Sequence, residues 1–148
     1  MLLEPPVMGG EVEYLLFPFE PSGSTGDYRT RTVAGSGSWR VSFQVPPDFK
    51  SLVSLVVGCI VSAGAAGSGK NIDLDSDYGA AGESSTAHSE SDATSTYNFT
   101  GLSGMHTDIN VAGVFSQLAA DDRCGLLITH NAIGGALDYL FLRLGYRR

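Results

Sequence analysis

Trp39-Arg-Val-Ser-Phe-Gln-Val45, then Pro46-Pro47, then Leu52-Val-Ser-Leu-Val-Val-Gly-Cys-Ile-Val61 is the stretch that decides the fold. In its first half Trp39, Val41, Phe43 and Val45 alternate with Arg40, Ser42 and Gln44, the period of two that marks a half-buried strand. The two prolines end it, because neither can donate to a β-ladder. The second half reads as another strand, apolar on both faces: Val53, Leu55, Val57, Cys59 and Val61 on one, Leu52, Val56 and Ile60 on the other.

Outward from this pair the chain keeps the same grammar. Residues 11–19 read as a strand closed by Pro18 and Pro21, and 22–26 as a turn. Residues 28–33 predict an edge-like strand guarded by Arg29 and Arg31. Toward the C-terminus, 105–111 and 124–129 predict strands, and 114–118 allow one helical turn. The last strand, 137–146, sets Leu140, Leu142, Leu144 and Tyr146 against Tyr139, Phe141 and Arg143. Between Gly79 and Thr96, 14 of 18 residues are Gly, Ala, Ser or Thr, which predicts a long polar loop. Eight or so short strands without a long helix predict an all-β fold, an antiparallel β-sandwich or single jelly roll. Residues 11–148 form its one domain, and residues 1–10, apolar but broken by Pro5-Pro6 and Gly9-Gly10, an extended N-terminal arm.

Composition narrows the function classes. Charged residues make up only 17% of 148 residues while glycine reaches 19, which suits a Gly-punctuated β-fold. A net charge of −7 with nine basic residues argues against nucleic acid as a partner, since phosphate neutralisation needs clustered Lys and Arg. The 52–61 run is shorter than the roughly 20 apolar residues of a membrane span, so no membrane partner is expected. Residues 1–10 lack the basic and apolar regions of a signal peptide, which predicts folding in a cytoplasm. Cys59 and Cys124 each sit inside an apolar run and read as buried thiols, a disulfide requiring neighbouring strands.

No motif supplies a chemical constellation. Gly64-Ala-Ala-Gly-Ser-Gly-Lys70 fits a phosphate-binding loop, but Asn71 stands where Ser or Thr should hold magnesium, and the turn-like residues beyond it open no helix. Asp73, Asp75 and Asp77 have a spacing that calcium sites use, and Glu83, Glu90 and Asp92 would complete an irregular site. Yet Tyr78 and Ser84 occupy the positions where the helix–loop–helix version wants Gly and Glu. His88, His106 and His130 are dispersed, and Gly101-Leu-Ser-Gly104 is one residue short of a nucleophile elbow. The sequence therefore predicts neither an enzyme nor a cofactor or metal. An alternative function is a carbohydrate- or calcium-binding module using the acidic 73–92 loop with Tyr78 and Tyr97.

The surplus of apolar side chains favours assembly instead. A two-layer sandwich hides one face of each strand, so Leu52, Val56, Ile60, Tyr139 and Phe141, on the other faces, are the candidate oligomer interface. The arm folding over them is the competing explanation. The order Trp-Arg-x-Ser-Phe-x-Val-Pro (39–46), Asp-x-Asp-Ser-Asp-Tyr-Gly (73–79), Asp-Ile (108–109), Leu-Ala-Ala-Asp-Asp (118–122) and Leu-Phe-Leu-Arg-Leu-x-Tyr (140–146) resembles the small single-jelly-roll proteins in virions of tailed phages. The resemblance covers residues 39–146 through diffuse β-sandwich patterns and carries over no catalytic residue. It implies a structural virion protein that decorates or cements a capsid or sits in a tail assembly. Its expected state is a homo-oligomer, a trimer, among other virion proteins, made in the host cytoplasm.

Overall fold

A computed structural model describes residues 10–66, 71–92, 99, 101–131 and 133–148. Among the described residues there are ten strands: β1 (Val12–Pro18), β2 (Gly23–Thr25), β3 (Tyr28–Ala34), β4 (Ser38–Gln44), β5 (Ser51–Val61), β6 (Asn71–Gly79), β7 (His88–Asp92), β8 (His106–Asn110), β9 (Arg123–Asn131) and β10 (Ala136–Arg147). Short 3-10 turns occupy Ala63–Ala65 and Ala112–Val114, the latter just ahead of the helical turn expected at 114–118. Among the described residues there is no α-helix.

The pairing is nested. β3 pairs with β10, β4 with β9, β5 with β8 and β6 with β7, all antiparallel, so the chain from β3 onward is one long hairpin rolled on itself. Rolling sends alternate pairs to opposite sheets, one ordered β2-β3-β10-β5-β8 and the other β4-β9-β6-β7, with β1 beside β10. This is the single jelly roll that the strand count and turn spacing predicted. The sheets face each other across Trp39, Val41, Phe43, Ile72, Leu74, Leu126 and Ile128 on one side. Val33, Leu55, Val57, Val61, Leu137, Leu142 and Leu144 answer from the other. Phe115 fills the core beyond the strand ends, its ring centroid 5.4 Å from Phe43 and 5.3 Å from Tyr78.

Several expectations need correction. Asp73, Asp75 and Asp77 lie on β6, not in a loop, and the segment expected to be loop from 79 to 96 contains β7. That strand, His88-Ser-Glu-Ser-Asp92, carries no apolar residue, so hydrophobic periodicity cannot reveal it. It is held by pairing with β6 and by inward polar groups at the sandwich edge. Glu90 accepts hydrogen bonds from the Tyr78 hydroxyl and from the Ser116 amide and hydroxyl, and the His88 ring stacks on Tyr78 at 4.9 Å. Similarly, β3 is not the edge, because the three residues of β2 pair along it. The expected arm lies outside the described residues except for Gly10, as do Tyr97 and residues 67–70 of the glycine-rich motif. β6 follows that motif, so no helix N-terminus faces a bound phosphate there.

Two bulges change which apolar residues face outward. In the β5–β10 ladder, Tyr139 pairs with Cys59 and Phe141 with Gly58, leaving Leu140 as an extra residue. At the other end Gly145 pairs with Ser54 and Tyr146 with Leu52, leaving Val53 extra. Each extra residue inverts the alternation beyond it. Tyr139 therefore turns inward with Leu137 and is fully buried, and Leu52 packs against the core instead of facing out.

Candidate functional site

The candidate interface splits along these bulges. Leu52 and Tyr139 drop out of it for the reason just given. Val56, Ile60 and Phe141 remain on the outer face of the larger sheet, in the paired rows Val56–Arg143, Gly58–Phe141 and Ile60–Asp138. Ile60 is only 6% exposed, because the chain roofs it. The Thr25 and Thr32 hydroxyls donate to the Asp138 carboxylate at 2.7 and 2.8 Å, and the Tyr28 ring meets His106 with centroids 5.0 Å apart. Since Ile60 pairs with Asp138 on one side and His106 on the other, the β2–β3 hairpin crosses the sheet above it.

Val56 and Phe141 are half-buried, and β1 extends their face. The registers align Leu16 with Arg143 and Val56, Tyr14 with Gly145 and Ser54, and Pro18 with Phe141 and Gly58. Tyr14 is 59% exposed and Leu16 60%. Both rings of this face lie down on glycines. A methyl group at Gly58 would come within 2.5 Å of Phe141 Cζ, and one at Gly145 within 2.8 Å of Tyr14 Cε1. The result is a low apolar surface formed by Tyr14, Leu16, Val56 and Phe141. The ion pair of Arg143 with Asp108, at 3.3 Å, interrupts it, because Arg143 stands between Leu16 and Val56 in their row. The sequence predicts β1 as a strand but gives it no part in this face, since only the register with β10 brings Leu16 into the row of Val56 and Tyr14 into the next.

The acidic residues do not assemble a cation site. Asp73, Asp75 and Asp77 follow one another along the outer face of β6, where Ser89 donates its hydroxyl to Asp77. Among the described residues no group of three or more His, Cys, Asp or Glu side chains is placed to hold a metal ion. Tyr78 is fully buried, so it offers no ring to a ligand. Burial and the hydrogen bond to Glu90 push its hydroxyl up to about 12. Burial works against the Glu90 carboxylate, but the bonds from Ser116 and Tyr78 outweigh it and hold Glu90 below its usual range.

Of the three histidines, His88 stacks at the edge of the smaller sheet, His106 lies under Tyr28, and His130 is in the core. His130 Nε2 shares a 2.7 Å hydrogen bond with Tyr139 Oη, joining β9 to β10 across the two sheets. Burial pushes the imidazole down to about 4, so it is neutral at pH 7. The Trp39 ring lies 4.7 Å from Tyr139. This is a core polar contact that specifies how the sheets meet. Cys59 and Cys124 are both buried and unpaired, and burial raises each thiol to about 12. Comparison with protein-family models, with curated proteins and with solved structures returns no match.

Proposed function

We propose that this chain is a non-enzymatic structural subunit that forms a homo-oligomer, a trimer, and decorates or cements a larger particle such as a phage capsid. The observation that supports the reading is the outer face of the larger sheet, where Tyr14 and Leu16 stand open on β1 and share that face with Phe141 of β10 and Val56 of β5, Arg143 lying between Leu16 and Val56. A jelly roll needs only one face of each sheet for its core. Here the inner face is already filled, and large side chains continue on the outer one. Covering Tyr14 and Leu16 yields roughly 1–2 kcal/mol each before the costs of association, and the half-buried Val56 and Phe141 less. Closed symmetric oligomers satisfy such faces without leaving a growing end.

The test is solution mass by light scattering for the wild type and for Leu16→Asp combined with Tyr14→Ser. The expected result is a concentration-stable oligomer that the double variant converts to a folded monomer. A wild type that stays monomeric at millimolar concentration refutes the oligomer.

A further inference from the structure

The outer face of the smaller sheet is a different kind of surface. Across β4, β9, β6 and β7 two paired rows read Arg40–Leu127–Asp75–Ser91 and Ser42–Gly125–Asp77–Ser89. A trough of about 450 Å³ lies over them. A second hollow of about 630 Å³ continues it past Gly79 to the 80–85 loop, and the two share Ser42, Asp77 and Gly125.

Gly125 makes the trough. It sits within β9, a strand paired on both sides, where glycine weakens a sheet. None of the structural reasons for a glycine applies to it. Its φ is outside the left-handed region, and its ladders with Ser42 and Asp77 run through without a register shift. A methyl group there would meet nothing closer than the Asp77 carbonyl oxygen, at 3.7 Å. Gly58 and Gly145 on the opposite sheet are required by the rings above them; among the described residues nothing requires Gly125. A strand glycine of that kind marks a place where something else approaches the backbone.

The walls indicate what approaches. Ser42 and Ser91 supply hydroxyls that donate and accept, Ser89, whose proton goes to Asp77, offers its oxygen, Asp75 and Asp77 accept only, and Arg40 donates at one end of its row. Leu127, half-buried between Arg40 and Asp75, offers a small apolar platform. Two carboxylates disfavour an anionic ligand, while many short polar groups around a bare floor suit one that presents hydroxyls along its length. We infer that this trough binds a neutral saccharide chain, lying across Gly125 with its hydroxyls bonded to Asp75, Asp77 and the flanking serines. The site is on the opposite sheet from the proposed assembly face and does not depend on it.

The test is amide chemical-shift mapping with cellohexaose, maltohexaose and mannohexaose, with a galacturonate oligomer as the anionic control and an octalysine peptide as the cationic one. The expected result is shifts confined to the two rows with a neutral hexaose. Binding should weaken at least tenfold both in Gly125→Val and in the double variant Asp75→Asn with Asp77→Asn. The Asn pair keeps the test valid should valine disturb the strand, because both carboxylates are exposed. The inference is overturned if no neutral hexaose shifts these residues at millimolar concentration, or if binding persists undiminished in the Asn pair. It is also overturned if octalysine binds the same rows more tightly than any hexaose, which would make this a docking surface for a basic protein segment.

Discussion

Acidification from pH 7 should weaken this fold through His130. His130 is 2% exposed, and burial lowers it from 6.5 to about 4. The unfolded chain therefore takes up a proton near pH 6.5 while the folded chain refuses it until near pH 4. Stability from this group is complete above pH 6.5, falls as pH drops through the interval, and levels off below pH 4. A gap of that size is worth about 3 kcal/mol in all, with about 2.5 kcal/mol already lost at pH 4.5. For a domain of this length such a loss lowers the melting temperature by on the order of 10 °C. The measurement is urea unfolding at pH 7.5, 6.5, 5.5 and 4.5 for the wild type and for His130→Gln. The variant keeps a polar group facing Tyr139 but has nothing to titrate there, so contributions from the other groups cancel in the difference. The wild-type advantage should shrink steadily over this range. Parallel curves for the two proteins would refute the assignment of His130 as a neutral core histidine.

Three further outcomes follow from the packing. Gly58→Ala places a methyl group 2.5 Å from Phe141 Cζ, so the ring must lift and stability falls by about 1–3 kcal/mol, read by urea unfolding. Phe115→Ala, at a ring 1% exposed between Phe43 and Tyr78, costs about 3–5 kcal/mol by the same assay. Both thiols, buried and raised to about 12, should stay unreactive to a thiol reagent at pH 8 in the native protein and titrate fully in guanidinium; rapid native labelling of Cys59 or Cys124 would contradict the burial.

The sequence by itself determined the class of fold and most of its strands. Alternation in Trp39–Val45 and the apolar density of 52–61 state locally which residues must leave water, and Pro, Gly and Asp clusters state where the chain must turn. β7 stayed hidden because an edge strand held by polar partners has no apolar signature, and its bonds to Tyr78 and Ser116 join residues far apart in the chain. Tertiary structure alone decided the facing of Tyr139 and Leu52. A single extra residue at Leu140 or Val53 reverses inside and outside, and a bulge is a property of two paired strands that neither strand's own sequence states. The same holds for the two surfaces proposed to bind. Tyr14 meets Phe141's face, and Gly125 meets Ser42 and Asp77, only through strand register, which fixes neighbours that the linear order keeps apart.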